Sequence, residues 1–158
     1  MLNIKSLAQT FVLLLSIGFS CAQISPLPGW SSCATGPNPA TGVSIGVTNC
    51  TTAPCTFFLG QSYTFTVYAR SGVNTNSVPY AVTAAFPGLG SYKFIEGDGC
   101  DVLLLGTCPI NNGNLYLADL TYDVLSNTPT GYSVIEISVK DASNSVIICA
   151  QFFAIIAA

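Results

Sequence analysis

Ser62-Tyr63-Thr64-Phe65-Thr66-Val67-Tyr68-Ala69 alternates between two sets of side chains. A period of two puts Tyr63, Phe65, Val67 and Ala69 on one face of an extended strand, with the Ser and Thr residues on the other. The same pattern recurs on both sides of it. Val43, Ile45 and Val47 alternate with Ser44, Gly46 and Thr48, and Tyr80, Val82, Ala84 and Phe86 alternate with Ala81, Thr83 and Ala85. Tyr116, Ala118, Leu120 and Tyr122 share one face, as do Ile135, Ile137 and Val139. Val146 to Ile156 is almost wholly apolar and reads as a central or doubly covered strand. Turn residues separate the runs: Gly60-Gln61, Asn74 to Pro79, Pro87-Gly88, Gly97-Asp98-Gly99, Asn111 to Asn114, Asn127 to Gly131 and Asp141 to Ser145. Short strands at this spacing, with no long helical stripe, predict an all-β chain built as an antiparallel sandwich.

The N-terminal segment is expected to stand apart. Lys5 precedes the apolar run Phe11 to Phe19, and Ser20-Cys21-Ala22 supplies small residues before a cut. Residues 1–22 read as a secretory signal peptide and 23–158 as a single domain. The run is shorter than the roughly 20 residues of a membrane span. The stretch from Ser25 to Pro39 is read as an irregular lead.

The chain has seven cysteines, and cleavage would remove Cys21 to leave six: Cys33, Cys50, Cys55, Cys100, Cys108 and Cys149. Export favours their oxidation. Two close pairs and two distant residues suggest two loop staples and a clasp joining the ends, although six cysteines allow about 15 connectivities. No C-x-x-C spacing occurs and histidine is absent, so no metal is expected. Asn49-Cys50-Thr51 is an N-glycosylation sequon, and Asn49 is a candidate glycan site.

Charge is scarce: 7% of residues against about 25% in an average domain, with a net charge of −3. So few basic residues argue against a nucleic-acid partner and against docking on anionic lipid. Enzyme chemistry finds little support. Without histidine there is no Ser/His/Asp relay and no imidazole base. Gly42-Val43-Ser44-Ile45-Gly46 spells a nucleophile elbow, but it lies in a strand pattern with no partner base. Glu96, Asp98 and Asp101 cluster in a turn and read as solvated carboxylates. No phosphate loop is present, and no cofactor is expected. An apolar content of 50% suggests an interior cavity, the alternative being a solid core under Ser/Thr-rich faces. Val102-Leu103-Leu104-Leu105, read as part of a short loop between Cys100 and Cys108, should turn inward to a cavity rim or outward to an apolar partner.

Taken together, Cys33, Asn49-Cys50, Pro54-Cys55, Gly60-Gln61-Ser62-Tyr63, Asp98-Gly99-Cys100, Cys108-Pro109-Ile110 and Cys149 resemble the ML (lipid-recognition) domain family. That family includes secreted Niemann-Pick type C cholesterol carriers, their arthropod relatives and group 2 mite allergens. The likeness runs from about Cys33 to Ile155. It implies an immunoglobulin-like β-sandwich of two antiparallel sheets that gape at one end, with an apolar lipid cavity between them. It also implies three disulfides, Cys33–Cys149, Cys50–Cys55 and Cys100–Cys108. Carried over by position, Val47, Tyr63, Phe65, Ile135 and Ile137 would be wall residues, and Tyr92, Phe94 and Val124 would lie near the entrance. Interior alternation adds Val67, Val82, Ala84, Phe86 and Val139 as ligand-binding candidates. The chain departs from the cholesterol carriers at Gly90-Ser91-Tyr92-Lys93-Phe94 and Thr128-Pro129, where they carry a proline-rich segment and an aromatic.

The function these features imply is that of a secreted, monomeric, non-enzymatic carrier. It would shield a sterol, fatty acid or other lipid, with Lys93 or water meeting the head group. The place of action would be extracellular, or the endosomal or lysosomal lumen after uptake, with a membrane receptor or acceptor protein as partner. The alternative is a lipid-dependent recognition protein, in innate immunity or chemical signalling, that presents a microbial or semiochemical lipid to a receptor. An adhesion-type sandwich with a filled core is a third reading.

Overall fold

A computed structural model describes residues 26–33 and 38–158, so the expected signal segment lies outside the described residues. Ten strands follow in order: β1 (Ser31–Ser32), β2 (Thr41–Val47), β3 (Cys55–Phe58), β4 (Ser62–Arg70), β5 (Pro79–Phe86), β6 (Gly90–Asp98), β7 (Leu103–Leu105), β8 (Leu115–Asp123), β9 (Gly131–Lys140) and β10 (Val146–Ala157). One 3-10 turn, Gly99–Asp101, links β6 to β7. Among the described residues, no helix is long and apolar enough to cross a membrane.

The strands form the two facing sheets of an immunoglobulin-like sandwich. One runs β1-β10-β9-β5-β6, with β3 also on β10, and the other runs β2-β4-β8-β7. Neighbours are antiparallel except β3, which lies parallel to β10 from Cys55 opposite Ala154 to Phe58 opposite Ala157. The alternation in β4 appears directly as burial: Tyr63, Phe65, Val67 and Ala69 are buried and their neighbours are not. On the outer face the polar partners pair across strands. The Thr64 and Thr121 hydroxyls lie 3.0 Å apart, and Thr66 donates to the Asp119 carboxylate at 2.7 Å. Such pairs each contribute roughly 0.2–1 kcal/mol.

Three disulfides tie the sandwich: Cys33–Cys149, Cys50–Cys55 and Cys100–Cys108. The first joins residues 116 apart and anchors the lead to β10. Asn38 reinforces it. Its side-chain oxygen accepts the Cys149 N–H at 2.9 Å, and its amide donates to the Cys149 carbonyl at 3.3 Å.

Three expectations need correction. Gly90–Asp98 is a strand, where only turns and an entrance segment were expected; its glycines, Lys93 and Glu96 hide the alternation, and a register shift lies opposite Val82–Thr83. The leucine segment is β7, an edge strand, rather than a loop. The lead contains β1. β10 is central, as expected, with β9 on one edge and β1 and β3 on the other, but it is covered on one face only: Phe153 on its outer face is 65% exposed. Ser44 sits within β2, paired opposite Tyr68, and no helix follows it. The turn carboxylates have structural partners: Asp98 accepts the Val78 and Cys100 N–H groups at 3.0 Å each, and Glu96 pairs with Lys93 at 2.6 Å.

The β9–β10 turn is built on Asp141. Its carboxylate accepts the Ser143 N–H at 2.9 Å, the Ser143 hydroxyl at 2.6 Å and the Ser145 N–H at 2.9 Å. The Ser143 hydroxyl bond, then the backbone bonds from Ser145 and Ser143, hold this exposed carboxyl below its usual 3.8. A lowered folded-state value means stability present above the ordinary carboxylate range and lost as pH falls through the folded value. Asp141→Asn should therefore lower the melting temperature at neutral pH and leave it unchanged in strong acid. For the clasp, replacing both Cys33 and Cys149 by Ser should cost about 4–5 kcal/mol in urea unfolding. Replacing Cys50 and Cys55 should cost about 2 kcal/mol, because the loop that bridge closes is far shorter.

Candidate functional site

The inward-facing side chains change size along the sandwich. At one end they are large. Phe57 meets Tyr63 edge-on with ring centroids 4.6 Å apart and Phe65 at 5.9 Å, and Phe65 lies 6.4 Å from Phe152. Phe94 stacks on Tyr122 at 4.4 Å and 8° between planes. These rings, with Val124, Phe86 and Ile135, fill the space between the sheets.

Towards the Cys100–Cys108 staple the side chains shrink. β4 ends its inner face with Val67 and Ala69, β8 offers Ala118 beside Leu120, and Ala40 comes from the lead to β2. They face Tyr80, Val139 and Ile148 across the sandwich. Val78, Ile110 and Ile147 form a separate small cluster that closes the end. The shortfall leaves a partly open apolar hollow of about 70 Å³, with Leu103, Tyr116, Ser71 and Gly99 completing its walls. It has room for a few water-sized groups, against roughly 300–1,000 Å³ for sites that take a whole small molecule. Leu103 of β7 faces the hollow, while Leu104 and Leu105 are 64% and 49% exposed, so the leucine segment turns both inward and outward.

Of the residues expected to bind a ligand, Val67 and Val139 line this hollow. Val47, Tyr63, Phe65, Val82, Ala84, Phe86, Phe94, Val124, Ile135 and Ile137 are buried in the same continuous core but away from it. Tyr92 is 41% exposed, with its ring edge-on to Phe86 at 5.5 Å. Tyr92, Phe94 and Val124 thus lie towards the filled end, and the opening lies at the other. Lys93, expected to meet a head group, is on edge strand β6 and is bound to Glu96. Ala69, Tyr80, Ala118 and Leu120 are wall residues that sequence reasoning left out. The usable signal was the same alternation, combined with the small size of the two alanines.

The polar groups at the hollow are few. The Ser71 hydroxyl donates to the Val73 carbonyl at 2.8 Å and accepts the Val73 N–H at 3.2 Å. The Tyr116 hydroxyl accepts the Asn111 N–H at 2.7 Å. Burial, and secondarily the charge of Asp101, push the Tyr80 hydroxyl above its usual 10.0. Elsewhere, Asn49 has a left-handed backbone (φ 59°) and borders an open, mixed-polarity trough around Cys50–Cys55. Cys33, Glu136 and Cys149 bring three potential metal-ligating atoms together, but both sulfurs belong to a disulfide.

A family model described as an ML domain matches residues 29–156. Among solved structures, a Niemann-Pick type C2 protein from Japanese carpenter ant is similar at 16% identity, with a TM-score of 0.67, over 80% of this chain and 98% of that one. Chicken MD-1 complexed with lipid IVa is similar at 13% identity, with a TM-score of 0.51, over 78% and 85% respectively. At these identities the likeness is one of fold. No curated protein sequence matches the chain.

The two ends should respond oppositely to mutation. Phe65→Ala, in the filled end, should cost about 3–5 kcal/mol in urea unfolding. Ala118→Leu, at the hollow, should leave stability unchanged or raise it, because the added carbons enter space already empty.

Proposed function

The chain belongs to the ML-domain family, and from that membership we propose that it is a non-enzymatic lipid-binding protein that holds an apolar ligand between its two sheets. The observation that carries the reading is the apolar hollow, placed where the sandwich is packed by alanine and valine instead of aromatic rings. An acyl chain or sterol edge entering there would leave water at a gain of about 0.8 kcal/mol per CH₂. At about 70 Å³ the hollow takes only the leading part of such a ligand. Full entry would need the sheets to part along Val67, Val82, Ile137 and Val139, which carry no polar atoms that would resist it. The aromatic end would act as the hinge side and keep its contacts.

The proposed setting is outside the cell or in a compartment lumen after uptake, with residues 1–22 as an export signal and 23–158 as the working domain. Three disulfides suit that setting. Transfer of the ligand to a membrane or acceptor protein is the proposed task. A recognition role is the second reading. It is favoured by the likeness to MD-1 with its lipid IVa and by the exposed Tyr132 and Phe153 on the outer face of one sheet. The placement of cations weighs against a phosphorylated ligand. Lys93 is paired with Glu96, Arg70 donates to the Gly113 carbonyl, and no Lys or Arg lines the hollow.

Delipidated protein should bind a fluorescent fatty acid or sterol at one site per chain, and Ala118→Leu should weaken that binding about tenfold, the equivalent of roughly two CH₂ groups. Titration against a broad lipid panel checks this, and absence of binding to every member overturns the reading.

A further inference from the structure

We propose that the Tyr80 hydroxyl is the polar anchor of the hollow, and that the site selects lipids with an uncharged hydroxyl head over those with an anionic head. This rests on the hollow being the ligand site. Three polar side chains line it: Ser71, Tyr80 and Tyr116. Ser71 uses its hydroxyl both ways on Val73, and Tyr116 uses its own to receive the Asn111 N–H. The Tyr80 hydroxyl has no hydrogen-bond partner among the described residues, and on a half-buried residue it is open to water or to a ligand at the rim of the hollow.

Its position is set by backbone geometry. Tyr80 on β5 is paired opposite Gly97 on β6, and its ring lies over that glycine. A side chain at position 97 would begin 3.0 Å from the Tyr80 oxygen, so the absent Cβ is what lets the ring lie there. Covering an edge-strand glycine with an aromatic ring is itself stabilising, and phenylalanine would do it as well. The hydroxyl is the part that packing leaves unused.

The charges around it define what it would accept. Burial, and secondarily the charge of Asp101, disfavour the phenolate, so Tyr80 offers a donor. Asp98, two residues before the 3-10 turn's Cys100, is engaged with the Val78 and Cys100 N–H groups. No cation lines the hollow to balance an incoming anion. A lipid alcohol could accept the Tyr80 O–H and turn its own proton toward water or Asp101. A carboxylate or phosphate in the same place would lose hydration beside a like charge, which is costly.

The test compares dodecanol, dodecanoate and dodecane at neutral pH, by displacement of a fluorescent apolar probe from the delipidated protein, in wild type, Tyr80→Phe and Asp101→Asn. Wild type should bind dodecanol about tenfold more tightly than dodecanoate. Tyr80→Phe should lose about 3–10-fold for dodecanol and nothing for dodecane. Asp101→Asn should recover part of the dodecanoate affinity. Matched thermal melts show that the Phe variant keeps its fold, since the ring over Gly97 remains. Dodecanol affinity that is indifferent to Tyr80→Phe, or dodecanoate bound as well as dodecanol by wild type, overturns the anchor while leaving a lipid site in place. If none of the three compounds competes with the probe in any variant, the ligand-site reading falls along with it.

Discussion

The contact on which the rest of the molecule depends is the interlocking of Phe57, Tyr63, Phe65 and Phe152 between the sheets. It holds β3 and β10 of one sheet at a fixed separation from β4 of the other through large side chains. Aromatic pairs of this kind add about 0.5–1.5 kcal/mol each beyond the area they bury. Because the separation is set there, the opposite end inherits a gap that Ala69, Ala118 and Val67 are too small to fill. The hollow is thus a consequence of how residue size is distributed along β4 and β8. No loop or lid is needed to create it.

Scarcity of charge shapes how the hollow can be used. Its walls are almost wholly apolar, and no Lys or Arg is among the residues that line it. Walls of this kind exclude water and favour contact with hydrocarbon. Membership of the ML-domain family and the distribution of side chains therefore point in the same direction.

Much of the fold was legible in the alternation. Each alternating run became a strand, because a sheet with one covered face imposes period two on whatever lies in it. β6 escaped notice because Gly90 and Gly97 interrupt it and its exposed positions carry Lys93 and Glu96. β3 and β7 are four and three residues long, too short to show a period. The site was harder to read. Alternation said that Tyr80, Val139 and Val67 face inward, but not whether the space before them was filled. That depends on which side chains oppose one another across the sandwich, and opposition is a tertiary property. Of the interior positions chosen along the strands, Val67 and Val139 line the hollow and most others belong to the packed core beside it.

β10 is the longest strand among the described residues, Val146–Ala157, and it is rich in Ile, Ala and Phe. A segment of that composition with a bare edge is a template for another chain to pair with. Here β9 occupies one edge, while β1 and β3 divide the other between them. Cys33 directly follows β1, and Cys55 opens β3. The two bridges at those residues therefore act as latches on the covers of an aggregation-prone edge. On this view the oxidised state matters to the protein's solubility as much as to its folding free energy. A reducing compartment would convert a closed sandwich into a chain with an open seam.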